Sequence, residues 1–226
     1  MLALVGSGEY LAAIAEVDRQ LLALFDSPPK VVRLPTAAGR EGDRMIDSWM
    51  QRGVDHFAEL GAESVGVRVW DRTSADDAEL AAEIATADFV YLSGGKPSYL
   101  HDVLVDSRAW DAILAVVDRG GLLAGCSAGA MVQGEIFAGV PRGHEGFGLW
   151  PGVTVVPHFD EIPSAAVSAM RLLVGKHHTL VGVNANTALV NVGDTYRVIG
   201  DQVTVWTSDT KIEFGAGEIP CSAFEA

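Results

Sequence analysis

The chain has 226 residues, 49% hydrophobic and 20% charged, and carries a formal net charge of −14 from 30 acidic against 16 basic side chains. This composition excludes a disordered chain, and the length suits one large α/β domain over residues 1–226. The acidity disfavours nucleic acid and anionic membrane as partners, and no segment reaches the roughly 20 uninterrupted apolar residues that would span a bilayer.

Short apolar or β-branched runs alternate with amphipathic stretches through the first half, the pattern of a parallel sheet covered by helices. Residues 2–5 read as the first strand. Its apolar run breaks at Gly6 and no basic segment precedes it, so a cytoplasmic protein without a secretory signal is expected. Gly6-Ser7-Gly8-Glu9 then lacks the Lys-Ser/Thr of a P-loop and reads as a turn into a helix over 10–25, placed on the rim of the cleft. Strands follow at 31–34, 64–69 and 89–92, with helices at 43–60 and 76–86 between them. After the loop Ser93-Gly94-Gly95-Lys96-Pro97 come helical segments at 99–105 and 110–119, stopped by Gly120-Gly121. A short strand at 122–124 runs into Gly125-Cys126-Ser127-Ala128-Gly129. A Gly-rich loop over 139–152 leads to a strand at 153–156 that ends on Pro157-His158, and His177-His178 sit at an exposed helix end. Runs at 180–183, 188–192, 196–199 and 203–206 read as antiparallel additions joined by Gly-Asp turns.

Strand, Gly-x-Ser-x-Gly and helix in succession make a nucleophile elbow, in which small neighbours let the backbone bend sharply and lift the serine hydroxyl above the sheet edge. Ser127 is thereby the candidate nucleophile. Its neighbour Cys126 is expected to be buried by the same geometry, and with Cys221 as the one other cysteine, reduced thiols are expected. Open parallel sheets place their sites beyond the carboxyl ends of the strands. The Gly94-Gly95 turn lies at such an end, so the N–H groups of Gly95 and Ala128 are the candidate oxyanion hole. His158 also follows a strand directly and is the best general base, whereas His56 belongs to an amphipathic helix and His177-His178 lack metal-ligand spacing. No metal and no organic cofactor are expected.

In order and spacing, Gly125-Cys-Ser-Ala-Gly-Ala130, Gly94-Gly95 with Leu100, Leu149-Trp-Pro-Gly152, Pro157-His158-Phe159 and Gly182-Val-Asn-Ala-Asn-Thr-Ala188 resemble the peptidase E and cyanophycinase family of serine peptidases across nearly the whole chain. The resemblance implies a three-layer α/β/α fold similar to class I glutamine amidotransferases, with a mostly parallel central sheet and extra strands in the C-terminal third. It also implies a dipeptidase or exopeptidase in which Ser127 attacks, His158 is the base, and Gly95 and Ala128 hold the oxyanion.

At one position the chain departs from that pattern. The family's third triad residue is usually a Glu in a segment that here carries Ala185, whose methyl group cannot orient an imidazole. Asn184, Asn186, Asp160 and Glu161 are the candidate substitutes. Asp160 and Glu161, with Arg171 as the nearest cation in sequence, also argue against an Asp side chain as the recognised group. The expected activity is cleavage of a small peptide or amide through an acyl-enzyme on Ser127, by a monomer or homodimer. A cyanophycinase-like isopeptide hydrolase and a catalytically silent binding protein are the alternatives.

Overall fold

The structure, a computed structural model, describes residues 1–137, 144–175, 177–193 and 195–224. Its strands are β1 (Leu2–Val5), β2 (Lys30–Leu34), β3 (Glu63–Gly66), β4 (Phe89–Leu92), β5 (Leu122–Cys126), β6 (Ile136–Phe137), β7 (His144–Glu145), β8 (Val153–Val156), β9 (Thr179–Val183), β10 (Ala188–Val192), β11 (Thr195–Trp206) and β12 (Lys211–Ile219). The helices are α1 (Ala15–Leu22), α2 (Asp43–Glu59), α3 (Arg72–Ala75), α4 (Ala78–Ala85), α5 (Pro97–Leu104), α6 (Arg108–Asp118), α7 (Ala128–Met131) and α8 (Ser164–Val174). Ten strands form one sheet in the order β3-β2-β4-β5-β1-β10-β11-β9-β8, with β12 paired to β11, and β6 and β7 make a separate hairpin.

From β3 to β1 the strands are parallel, and their continuous apolar runs follow from being covered on both faces. Alternation divides their side chains between two cores. Val32, Leu34, Val90, Leu92 and Leu123 face one, with Leu104, Trp110, Ile113 and Val116 from α5 and α6. Val31, Phe89, Tyr91, Leu122 and Ala124 face the other, with Val17 and Leu21 of α1 and Phe57 of α2. Helices on both faces of a mostly parallel sheet give the three layers expected from the sequence.

The C-terminal strands bring a second set of strand ends to the first. β10 lies antiparallel to β1, with Ala188 opposite Val5, and β11 runs back along β10 until Ile199 lies opposite Ala188. β11 then continues past the end of β10. Its second half carries β9, Val203 lying opposite Val183 and Trp206 opposite Leu180, and β8 joins β9 in parallel. β8 and β9 therefore run back toward the level of Val5 and Cys126, and the carboxyl end of β8 meets the carboxyl ends of β1 and β5.

Several boundaries differ from the sequence expectation. The helix expected over 10–25 is regular only over Ala15–Leu22, because Gly8 and Tyr10 have positive φ (91° and 58°) and bend the approach. The helix expected over 76–86 is regular over Ala78–Ala85 (α4), and a separate short helix, α3, precedes it at Arg72–Ala75. Asp71 and Ser74 close a capping box on α3, and Asp77 accepts from the Glu79 and Leu80 N–H groups to start α4. The runs 196–199 and 203–206 are one strand, with Gly200-Asp201 (Gly200 φ 109°) in an irregularity of its pairing and not in a hairpin turn. Residue 194 of the expected Gly193-Asp194 turn lies outside the described residues, as do residues 139–143 of the Gly-rich loop. β9 is antiparallel only to β11. β12 was not expected; its alternation is short, Ile212 and Phe214 only, before Gly215-Ala216-Gly217 interrupts it on an exposed edge. Among the described residues no helix is long and apolar enough to cross a membrane.

One polar pair is built into the core beneath α1 and α2. His56 Nε2 lies 2.7 Å from Asp18 Oδ2, and Asp18 is fully buried. Burial pushes the Asp18 carboxyl up, against the pull of the His56 hydrogen bond. Removing one member of a buried pair strands the other. We expect His56→Leu to lower unfolding stability by about 3 kcal/mol in urea titrations; an unchanged midpoint and slope would show that the pair contributes no net stability.

Candidate active site

β5 is buried along its whole length and delivers Ser127 onto α7. Ser127 has φ 49° and ψ −106°, a conformation that costs a non-glycine residue about 1–3 kcal/mol and persists only where its surroundings enforce it. Its N–H donates to the Val5 carbonyl at 3.0 Å, and its own carbonyl accepts from the Ala130 and Met131 N–H groups, each at 3.0 Å. Two residues before it, a Cβ on Gly125 would stand 2.1 Å from the Gly129 carbonyl oxygen. The flanking glycines are therefore a packing requirement of the turn.

His158 follows β8 in a left-handed conformation (φ 53°), and its Nε2 lies 3.2 Å from Ser127 Oγ. The next residues form a short 3-10 turn (Phe159–Glu161) in which the Glu161 N–H donates to the His158 carbonyl at 3.0 Å. That turn folds the Glu161 side chain back over the imidazole, where Oε2 lies 3.0 Å from His158 Nδ1. Phe159 anchors the turn in the core against Gly182. With a carboxylate on Nδ1, the tautomer bearing its proton there leaves Nε2 free to accept from the serine hydroxyl. The imidazole and the carboxylate are both partly open to solvent, with 40% and 59% side-chain exposure.

The other three candidate substitutes are engaged elsewhere. Asp160 Oδ1 accepts the N–H of Ala185 at 2.7 Å and so anchors the segment that carries the missing carboxylate. Asn184 donates through Nδ2 to Asp201 Oδ2 at 2.8 Å. Asn186 takes a left-handed conformation (φ 51°), gives its N–H to the Ser7 carbonyl and lays its amide oxygen over Gly8. Arg171 bonds the carbonyls of Gly175 and His178.

Ser127 and His158 line a cleft of about 310 Å³ whose wall also includes Ser7, Glu9, Gly94 and Gly95, with Tyr10, Leu11 and Trp49 as its apolar side and Glu41 and Arg52 at its rim. Among the described residues the N–H groups of Gly95 and Ala128 donate to no protein acceptor, as an oxyanion hole requires. Cys126 is buried beside the serine, and burial pushes its thiol well up, which holds it in the unreactive protonated form. Sequence reasoning placed the Gly6-Ser7-Gly8-Glu9 turn at the cleft rim without giving Glu9 a role, and missed Tyr10, Trp49 and Arg52. The signal for Glu9 and Tyr10 was present, because Gly6-Ser7-Gly8-Glu9 follows β1, the strand beside β5, at its carboxyl end.

With this geometry in hand, comparison with known proteins is direct. Residues 2–199 match peptidase family S51. The crystal structure of a peptidase from an acI-B1 Actinobacterium superposes with a TM-score of 0.87 at 36% identity, covering 97% of this chain and 96% of that one. A putative peptidase E protein from Listeria monocytogenes EGD-e shares the fold, with a TM-score of 0.64 at 19% identity over 88% of this chain and 96% of that one. No curated protein sequence matches. The chain belongs to peptidase family S51.

Proposed function

We propose that this peptidase is a serine hydrolase of small peptides in which Ser127, His158 and Glu161 work as the triad. The observation that carries the reading is the line of contacts from Ser127 Oγ through the imidazole to Glu161 Oε2, at 3.2 and 3.0 Å. Ser127 Oγ attacks the scissile carbonyl while Nε2 of His158 takes its proton. The oxyanion of the tetrahedral intermediate rests on the N–H groups of Gly95 and Ala128. His158 returns the proton to the leaving amine, leaving an ester on Ser127. Water, deprotonated by the same imidazole, then attacks the ester carbonyl and releases the acid. These steps call on neither metal nor organic cofactor.

Glu161 replaces the carboxylate that Ala185 lacks, arriving from three residues after the histidine and not from the family's usual segment. Its exposure limits the Coulombic contribution, so its main effect is to hold the ring and its tautomer. The same contacts favour an enzyme over a catalytically silent scaffold. A cleft of about 310 Å³ is at the small end of ligand sites and suits a short peptide. Its lining includes one cation, Arg52, and the carboxylates Glu9 and Glu41. We further propose one catalytic domain over residues 1–226, working in the cytoplasm as a monomer or homodimer.

Three outcomes are expected. Ser127→Ala abolishes hydrolysis of short peptides and labelling by a fluorophosphonate while leaving the melting temperature nearly unchanged; turnover retained in that variant would remove Ser127 as nucleophile. Glu161→Ala lowers kcat by roughly 10- to 100-fold with little change in KM, less than the ~10⁴ typical where a triad carboxylate is fully buried. Asp160→Ala, which frees the Ala185 N–H, acts on stability more than on kcat. Equal kcat losses in the two carboxylate variants would argue that Glu161 has no special role.

A further inference from the structure

Glu9 stands in the turn after β1 with its carboxyl group directed at the loop that follows β4. Its Oε2 accepts the Gly94 N–H at 2.8 Å, and its Oε1 is closed to solvent without a hydrogen-bond partner among the described residues. The point at which a Gly94 Cβ would sit is 3.1 Å from Glu9 Oε2 and 3.5 Å from Ser127 Cβ. Carboxyl group and serine thus approach the same backbone atom, and a glycine leaves them room.

Successive amides of this loop are assigned one by one. The Ser93 N–H donates to the Leu34 carbonyl at 3.1 Å, Gly94 to Glu9, and Lys96 to the Ala37 carbonyl at 3.0 Å. Among the described residues only Gly95 in this run of four keeps an N–H without a protein acceptor. Tying down the amides on both sides of Gly95 fixes the intervening peptide planes, and the one N–H left over belongs to the residue that lines the cleft beside Ser127.

We propose that Glu9 is a positioning residue for the oxyanion hole: by holding the Gly94 N–H it sets the Gly94-Gly95 turn so that the Gly95 N–H is presented to the substrate carbonyl oxygen. This rests on the reading of Ser127 as nucleophile. The role needs an acceptor and no charge. An ionised carboxylate behind the loop would oppose the developing oxyanion, whereas a neutral acid still accepts through its carbonyl oxygen. No cation pairs with Glu9 among the described residues, and burial pushes its carboxyl group up toward the neutral form, against the pull of the Gly94 N–H.

The test compares Glu9→Gln, which keeps an uncharged acceptor, with Glu9→Met, which keeps length and loses the acceptor. On a short peptide substrate, with thermal unfolding as a control, Glu9→Met should lose about 100-fold in kcat with KM nearly constant, the size of effect that follows from losing one oxyanion donor. Glu9→Gln should stay within about threefold of the native enzyme. Amide NMR of the native chain with a peptide aldehyde bound decides independently of either variant's folding. The Gly95 and Ala128 N–H resonances should move strongly and that of Gly94 should hold. A Glu9→Gln as impaired as Glu9→Met, a fully active Glu9→Met, or a Gly94 resonance that moves in place of Gly95 would overturn the proposal. Turnover surviving in Ser127→Ala would instead remove the nucleophile reading beneath it, with the Glu9 variants unaffected in their ranking.

Discussion

The site exists because β11 is longer than the strand it pairs with. Over its first half it continues the sheet that begins with the parallel strands, and over its second half it projects past Ala188 and carries β9 and β8. A strand that stopped at Ile199 would leave the sheet with carboxyl ends from one direction only, and the loop after β8 would have no reason to approach Ser127. The irregularity near Gly200-Asp201 marks the change of partner. There Asp201 accepts from Asn184, which ties the end of β9 to the same point. Two opposed sets of strand ends therefore meet at one cleft, one supplying Ser127 and the Gly94-Gly95 loop, the other supplying His158 and Glu161.

Strain is concentrated where these ends meet. Ser127 and His158 both have positive φ, as do Tyr10 and Asn186 in the segments that enclose them. Such conformations are held by packing that leaves no alternative: the Gly125–Gly129 contact under the serine, and Phe159 against Gly182 under the histidine. Ser127 and His158 are thus set by the core, and the 3.2 Å separation of Ser127 Oγ and His158 Nε2 is a property of the backbone. The proposed third member is different in kind. Glu161 reaches His158 Nδ1 by local chain geometry, three residues along a 3-10 turn, and stays largely in solvent. A carboxylate at position 185 would have come from a separate strand end. Here that position serves instead as a backbone donor to Asp160.

How much of this was legible in the sequence follows from the range of each interaction. The parallel half of the sheet was readable because burial on both faces writes continuous apolar runs, and the elbow because small residues at fixed offsets are demanded by contacts within the motif. His158 was readable from a strand running directly into it. The candidates for a substitute carboxylate were narrowed to four residues and no further, since Asp160 and Glu161 are adjacent and only the turn decides which one points at the ring. Glu9 was passed over because its partner Gly94 is 85 residues away. Without that pairing, a Glu after a Gly-Ser-Gly turn reads only as part of a turn on the cleft rim. β12 was hidden because it is an exposed edge strand with glycines in its second half, and the continuity of β11 was hidden because Gly200-Asp201 reads as a turn, although both of its halves were readable as strands.

The central claim is that catalysis passes through an ester on Ser127, and the most direct measurement is to trap it. A short peptide substrate turned over by the native chain, quenched in acid within milliseconds and digested for mass spectrometry, should show the acyl group on Ser127 within the peptide that spans Gly125 to Gly129, and Glu161→Ala should form it more slowly. An acyl group found on Cys126, or steady turnover with no covalent adduct at any time point, would contradict the account.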